Sequence, residues 1–286
     1  MKPIRIGKIS FTNILPIYHY FEGRNQTVQF IPEVPTGLNR KMINGEIDMG
    51  PISSFSYAEH FHRYLLMPDL SVSATGKVRS IFLFTKGKNL SELNGATVAL
   101  PQTSASSVAL LKILLEKFEG VKPNYITMQP NLGEMMKVAD AALIIGDDAI
   151  LAQWRYPQIP FYDLGEEWYN RTGYSMTFAV WAIREDCALA YSDRISHIYQ
   201  SFMEAKQKGE IHLEEIIQIA QARLGGDSQF WMQYYAGLNY HFGSMEVAGL
   251  REYYRCAADI GLLSNEVQIR MYDLPAEVSS RSLGWA

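Results

Sequence analysis

The chain has 286 residues, of which 48% are hydrophobic and 20% charged, and its formal net charge is −4. This composition is typical of a globular protein with room for one large domain or two medium ones. A nucleic-acid-binding protein would show a basic patch or stripe, and this chain has no run of Lys or Arg, which argues against that class.

No secretory h-region follows Met1, and no stretch approaches the roughly 18 apolar residues of a membrane span. The cysteines, Cys187 and Cys256, lie far apart and match neither a metal nor a redox spacing. We therefore expect a cytoplasmic protein with free thiols that binds neither nucleic acid nor membrane. The sequence indicates no particular oligomeric state.

Strand and helix patterns alternate from the start of the chain. In order, this first part predicts strand 4–9, helix 14–21, strand 28–31, helix 36–42, strand 47–49 and the strand-like stretches 70–74 and 78–85. Such a βαβαβ order is typical of a parallel sheet covered by helices.

The alternation restarts after the break at 87–89. This second part predicts strand 98–100, helix 104–118, strand 124–128, helix 132–138, strand 142–145, strand 159–162, helix 166–170 and strand 176–183. The C-terminal part predicts only helices, at 192–208, 213–222, 227–238 and 245–260. Its aromatic segment 231–235 is expected to pack helices together and is assigned no ligand.

Restarted alternation predicts an α/β protein of two lobes. The apolar strands 78–85 and 176–183 flank the second lobe, and we interpret them as the two crossings of a hinge. Lobe one then comprises residues 1–84 and 183–286, including the helical C-terminal segment, and lobe two comprises residues 85–182. In open α/β sheets the ligand crevice lies beyond the carboxyl ends of the strands, so binding residues are expected there.

Two junctions of the chain have the same build: an apolar strand, a proline, a cluster of hydroxyls and the start of a helix. The first carries Ser53 and Ser54, the second carries Thr103 and Ser104, and Asn13 after the first strand is a third candidate. Backbone N–H groups and hydroxyl donors at a helix start suit a carboxylate or phosphate. Ser, Thr and Asn are also ordinary N-caps, but the repetition favours a site for a small anion.

Six short motifs occur in chain order: RIGKISFTNILP at 5–16, GEID at 45–48, ISS at 52–54, GKVRS at 76–80, IIGDDA at 144–149 and FAVWA at 178–182. The arrangement of elements resembles the type II periplasmic-binding-protein fold. Within that fold, the motifs are similar to those of the chorismate dehydratase family in the futalosine route to menaquinone.

The resemblance implies an enzyme, a hydro-lyase that removes water from chorismate to give 3-[(1-carboxyvinyl)oxy]benzoate. It places Asn13 and Ser80 in the active site, and Ser10 and Gly146 lie in motifs expected to contact the substrate. The reaction needs no metal or organic cofactor, and the sequence shows no metal-ligand cluster.

Chorismate is a dianion, and each charge removed from water costs several kcal/mol before compensation. A helix terminus contributes about 0.3–1 kcal/mol, and each hydrogen bond to a charged group about 1.5–3 kcal/mol. Directed donors should therefore dominate, and we predict four substrate-binding hydroxyls: Ser53, Ser54, Thr103 and Ser104. Ser106 and Ser107, inside the first turn of the second helix, are expected to bond the helix backbone.

Arg79 is predicted either to clamp a substrate carboxylate or to form an ion pair at a strand edge. Asp147 is a candidate general base, although a carboxylate beside a dianion would repel it unless protonated or turned away. The alternative is that Asp147 or Asp148 caps the helix that follows. The resemblance suggests a different base, the enolpyruvyl carboxylate of the substrate, with Asn13 and Ser80 positioning groups.

Three other functions compete with the dehydratase. A non-catalytic receptor for a small anionic solute would use the same fold but would normally need an export signal. The sister enzyme that cleaves cyclic dehypoxanthine futalosine resembles this chain but carries a histidine near 146–148, where this chain has none. A ligand-sensing regulatory domain is not expected, because no DNA-binding segment precedes the first strand.

Overall fold

Two five-stranded sheets form the frame of the computed structural model, which describes residues 2–23, 27–264 and 266–274. In chain order the strands are β1 (Ile4–Ile9), β2 (Val28–Glu33), β3 (Met49–Ser53), β4 (Tyr64–Ala74), β5 (Ile81–Thr85), β6 (Thr97–Pro101), β7 (Asn124–Met128), β8 (Ala141–Ile145), β9 (Phe161–Asp163) and β10 (Met176–Arg184). The remaining residues of predicted lobe one, at 1, 24–26, 265 and 275–286, lie outside the described residues.

The first sheet has the order β2-β1-β3-β10-β4. Strand β1 is parallel to β2 and β3, as the alternating pattern predicts, whereas β10 is antiparallel to β3 and β4. All of β3 and nearly all of β10 is buried. Their almost uninterrupted apolar sequence is what a strand covered on both faces requires.

The second sheet has the order β7-β6-β8-β5-β9. Strand β6 is parallel to β7 and β8, and β5 is antiparallel to β8 and β9. Sheet membership thus differs from the predicted division at both hinge strands: β5 joins the second sheet and β10 the first. Each strand adds to the sheet that the chain is entering, where its apolar side chains are covered. The lobe boundaries themselves stay a prediction.

Helices cover both sheets: α1 (Leu15–Tyr18), α2 (Pro35–Ile43), α3 (Ser54–His60), α4 (Ala105–Lys112), α5 (Leu132–Val138), α6 (Gly146–Arg155), α7 (Leu164–Thr172), α8 (Glu185–Ala190), α9 (Ser192–Ile211), α10 (Leu213–Leu224), α11 (Ser228–Ala236) and α12 (Ser244–Asp259). A π-helical segment, Ile113–Phe118, continues α4. Among the described residues, none of the helices combines the length and the apolarity that a bilayer crossing demands.

The C-terminal helices tie the two sheets together. Helix α12 packs against β10 of the first sheet and also against α4 of the second lobe. The ring of Tyr253 on α12 meets that of Trp168 on α7 edge-on, with 6.1 Å between centroids, and both residues are fully buried. The predicted α/β fold with a helical C-terminal segment is confirmed.

Two of the predicted strands whose bounds are wrong lie beside the cavity described below. Strand β3 continues through Pro51, because its ladder with β1 consists of the pair Ile6–Met49 and places no demand on a proline N–H. The predicted strand 78–85 begins only at Ile81. Arg79 has a left-handed backbone, with φ of 59°, so Ser80 lies on a bend before the strand.

Candidate active site

A cavity of about 60 Å³ lies between the two sheets, where strand ends and helix starts from both lobes meet. Polar side chains, two phenylalanine rings and a glycine are among the residues that line it: Asn13, Ser53, Ser80, Ser104, Ser106, Ser107, Phe11, Phe178 and Gly146. Over the described ranges of the chain, no Asp, Glu, His, Lys or Arg side chain lines it. The wall therefore offers neutral hydrogen-bonding groups in an apolar setting.

Asn13 lies on a 3-10 turn, Thr12–Ile14, that follows β1. Its backbone carbonyl accepts a hydrogen bond of 2.7 Å from the hydroxyl of Tyr240. Its side-chain Oδ1 is buried and has no hydrogen-bond partner among the described residues. Leaving a buried acceptor unpaired costs about 1–3 kcal/mol of folding free energy. The side chain of Asn13 therefore destabilises the fold, and we infer that it is placed to bind a ligand.

Asp147 lies behind the Asn13 turn rather than in the cavity wall. Its Oδ1 accepts the backbone N–H of Thr12 at 2.9 Å and the hydroxyl of Thr12 at 2.7 Å. Its Oδ2 lies 3.7 Å from Nη2 of Arg223. Burial raises the pKa of Asp147, while the bonds from Thr12 and the charge of Arg223 oppose that rise. The carboxylate therefore fastens the start of α6 to the turn that carries Asn13.

The alternative role for Asp147 or Asp148, as a helix cap, is wrong. Helix α6 begins at Gly146, its N-cap is Ile145, and no side chain caps it. Gly146 has φ of 64°, and a Cβ there would lie 2.7 Å from the ring of Phe11. Only glycine permits both the left-handed backbone and the close approach of this ring to the cavity wall.

Ser80 is 3% exposed and is held from several sides. Its carbonyl accepts the N–H of Gly146 at 2.7 Å. Its hydroxyl donates to the Val78 carbonyl at 3.4 Å and accepts from the hydroxyl of Tyr234 at 3.3 Å. Both Val78 and Ser80 precede β5, so neither belongs to the strand predicted at 78–85.

Arg79 points away from this cavity and lines a separate one with Lys77 and Asp163. The backbone N–H groups of Val78 and Arg79 donate to the carboxylate of Asp163, at 3.1 and 2.7 Å. Burial raises the pKa of Asp163, although four backbone N–H groups stabilise its charge. Asp163 thus fixes the bend that presents Ser80. The Nε of Arg79 has no partner among the described residues, so neither predicted role of Arg79 is established.

The serine clusters divide between capping and joining the lobes. Ser53 caps α3 by accepting the N–H of Ser56, and Ser104 caps α4 by accepting the N–H of Ser107, both at 3.2 Å. Both caps also line the cavity. The expectation that Ser106 bonds its own helix is wrong.

The Ser106 hydroxyl reaches from α4 to the first lobe. Its Oγ lies 3.0 Å from Oγ of Ser53, 3.0 Å from Oγ of Ser54 and 2.9 Å from the carbonyl oxygen of Phe178. Ser54 is fully buried and donates to the Thr177 carbonyl at 2.7 Å. These bonds hold the helix starts of the two lobes against each other.

Three other predicted residues lie beside the cavity. Ser54 stands behind Ser53, as described, and Thr103 is half-buried in the turn between β6 and α4. Ser10 follows β1, where its N–H donates to the Glu33 carbonyl and its own carbonyl accepts from Arg223. Their predicted contacts with a ligand stay predictions.

The helical C-terminal part contributes tyrosines that the sequence reasoning missed. Besides Tyr234 and Tyr240, the hydroxyl of Tyr235 donates to the Thr12 carbonyl at 3.1 Å. Those of Tyr253 and Tyr254 donate to the carbonyls of Ser106 and Ser54, at 3.0 and 2.7 Å. All five tyrosines are at least 95% buried. The aromatic richness of segment 231–235 was the available signal, but it indicated packing rather than contact with the site.

The two sheets and the cavity between them define a protein of the periplasmic-binding-protein fold class. Protein AF1704 from Archaeoglobus fulgidus matches with a TM-score of 0.72 at 19% identity, covering 91% of this chain and 98% of that one. The periplasmic aliphatic sulphonate binding protein SsuA from Escherichia coli matches with a TM-score of 0.69 at 16% identity, covering 96% of this chain and 93% of that one.

Sequence comparison identifies the family within this fold class. A family model described as menaquinone biosynthesis matches residues 4–259. A chorismate dehydratase of Thermus thermophilus is 32% identical over 268 residues, which cover 88% of this chain and 94% of that relative. The chain belongs to the menaquinone biosynthesis family, and the resemblance drawn from its motifs is confirmed.

Proposed function

We propose that this chain is a chorismate dehydratase, which removes water from chorismate and releases 3-[(1-carboxyvinyl)oxy]benzoate. The observation that carries the proposal is a cavity whose described walls offer amide and hydroxyl groups from both lobes but no titratable side chain. The relative from Thermus thermophilus is a chorismate dehydratase, and the family is one of menaquinone biosynthesis.

Neutral donors suffice to bind the dianion. Three hydrogen bonds to one carboxylate contribute about 4.5–9 kcal/mol, which offsets a desolvation cost of several kcal/mol per charge. The N-termini of α4 and α6 meet the cavity through Ser104 and Gly146 and add a smaller favourable dipole. We assign substrate binding to these helix starts and to Ser53, and the catalytic contacts to Asn13 and Ser80.

Dehydration breaks the C3–H and C4–O bonds of chorismate. The electron pair of the C–H bond becomes the C3=C4 double bond, the ring becomes aromatic, and the departing hydroxide and the C3 proton end as water. A general base must lie within hydrogen-bond reach of its proton, and the described cavity wall holds no carboxylate, imidazole or amine. We therefore assign proton removal to the enolpyruvyl carboxylate of the substrate itself.

The protein's part in this mechanism is to orient the substrate and to assist the leaving oxygen. Asn13 follows β1 of the first sheet and Ser80 precedes β5 of the second, and both line the cavity, so together they fix the ring between them. Asp147 acts indirectly, because its carboxylate accepts two hydrogen bonds from Thr12 and so fixes the turn that carries Asn13. We therefore assign Asp147 as a positioning residue, whose carboxylate does not contact the dianion.

Substrate entry requires the two lobes to separate. The cavity of about 60 Å³ is far below the ~300 Å³ at which small-molecule pockets begin. Bonds across the cleft, such as those of Ser106, must break when the lobes open and form again when they close. Closure then excludes water and brings the two sets of donors together.

The purified protein mixed with chorismate tests the proposal. We expect chorismate to disappear while an equimolar amount of an aromatic enolpyruvyl product forms. Absorbance monitors the reaction, and mass spectrometry should show the loss of one water, about 18 mass units. The turnover number should lie in the usual range of enzymes, about 1–10³ s⁻¹. Chorismate that binds without turnover would instead identify a receptor, and no binding would reject the substrate.

We also propose a cytoplasmic location. Both cysteines, Cys187 and Cys256, are buried free thiols, the form that a reducing compartment maintains. Fractionation of the native cells, followed by detection of the chain, tests this: recovery in the periplasmic or extracellular fraction would contradict it.

A further inference from the structure

Tyr234 on α11 reaches the active site from the helical C-terminal part. Its side chain is fully buried, and its ring packs edge-on against those of Trp231 and Tyr235, with centroids 5.4 and 5.3 Å away. Its hydroxyl lies 3.3 Å from Oγ of Ser80. The phenol therefore stands directly behind a side chain that lines the cavity, with its ring held on two sides.

The hydroxyl of Ser80 has one proton to donate and two lone pairs that accept. Tyr234 donates to one lone pair. The bond from Tyr234 spans 3.3 Å and the bond from the Ser80 proton to the Val78 carbonyl spans 3.4 Å, so both exceed the usual 2.5–3.0 Å. Because the bond to Val78 is weak, the Ser80 proton can turn to an oxygen atom in the cavity with little loss, and the bond from Tyr234 can shorten as it does so.

We propose that Tyr234 is a positioning residue, whose O–H bond to Oγ of Ser80 keeps the Ser80 hydroxyl a donor towards the departing C4 oxygen of the substrate. This inference rests on the proposed dehydratase function. A phenol that donates to Ser80 leaves the serine proton free for the substrate, whereas without it Oγ is free to accept from the substrate hydroxyl instead. Burial raises the pKa of Tyr234, so the phenol keeps its proton at neutral pH.

Removal of the hydroxyl alone, by Tyr234→Phe, tests the inference. We expect kcat for chorismate to fall about tenfold, while KM stays within about twofold, because the bond matters most as charge develops on the leaving oxygen. The matched control is Tyr18→Phe, which removes another buried phenol, one that donates to the Gly7 carbonyl at 2.7 Å, outside the cavity wall. Its kcat should equal that of the wild type, and its thermal midpoint shows what loss of one buried phenol does to stability.

A double-mutant cycle separates positioning from a general structural effect. In a Ser80→Ala background, Tyr234→Phe should change kcat less than about twofold, because the group through which it acts is gone. The same tenfold loss in both backgrounds, or a wild-type kcat for Tyr234→Phe, would overturn the inference. Either result is distinct from failure of the proposed function, which would show as a wild-type protein that does not turn over chorismate.

Discussion

Replacing Asn13 should separate function from stability. The side-chain Oδ1 is buried without a partner among the described residues, whereas the backbone of Asn13 is held independently by Tyr240. In Asn13→Ala a substrate carboxylate loses the hydrogen bond donated by the side-chain N–H of Asn13, worth about 1.5–3 kcal/mol, so kcat/KM should fall about 10- to 150-fold. The unfolding free energy should stay the same or rise, because an unpaired buried acceptor disappears.

Asn13→Asp keeps the shape of the side chain and reverses the electrostatics. A carboxylate about 4 Å from one charge of the substrate costs about 4 kcal/mol at an effective dielectric constant of about 20, which lowers kcat/KM about 10³-fold. Activity should recover in part when the pH falls enough to protonate the new carboxyl.

Steady-state kinetics with chorismate and urea denaturation of the same proteins measure both effects. The matched control is Asn39→Ala, since Oδ1 of Asn39 accepts the buried N–H of Ser53 at 3.0 Å. That variant should lose about 1–3 kcal/mol of unfolding free energy. Wild-type kcat/KM in Asn13→Ala, or a loss of stability equal to that of Asn39→Ala, would show that the side chain of Asn13 serves the fold rather than the substrate.

Two further variants test the surroundings of the site. Asp147→Asn still offers an acceptor to Thr12, so kcat/KM should stay within about tenfold of the wild type, and complete loss of turnover with chorismate still bound would show that the carboxylate itself does chemistry. Because burial raises the pKa of Asp147 above 3.8, its contribution to stability is complete below that value and is lost as the pH rises through the raised pKa. The variant lacks this loss, so its unfolding free energy relative to the wild type should increase with pH in denaturation series; a decrease would contradict the shift. Ser106→Ala removes the hydroxyl that joins α4 to the first lobe, so KM should rise about fivefold with kcat nearly unchanged, whereas the control Ser201→Ala, which loses a bond within α9, should keep its KM. Equal KM values for both variants would show that Ser106 does not hold the lobes.

The alternation of elements allowed the fold to be predicted from the sequence, because each sheet contains one parallel unit of three strands joined through helices. The hinge strands β5 and β10 were predicted as strands, but periodicity does not indicate which sheet a strand joins. The bend at Arg79 and Ser80 was not predicted, for a related reason. The left-handed backbone of Arg79 depends on the carboxylate of Asp163, which is 84 residues away in sequence.

The candidate site was readable in part. The helix starts at Ser53 and Ser104 carry a local pattern, and the structure places both residues in the cavity wall. The lobe-joining role of Ser106 and the hydroxyl contact of Tyr234 have no local signal, because their partners lie 53 and 154 residues away. The sequence predicts that tyrosines on amphipathic helices pack in the core, and only the fold shows which groups their hydroxyls contact.

A crystal structure of Ser80→Ala with chorismate bound would show where the substrate lies. We expect one chorismate between the two sheets, with its carboxylates accepting hydrogen bonds from the side-chain N–H of Asn13 and from the starts of α4 and α6, and with its enolpyruvyl carboxylate facing the C3 hydrogen. Chorismate seated instead against Lys77 and Arg79 in the neighbouring cavity, or a protein carboxylate in contact with the C3 hydrogen, would contradict it.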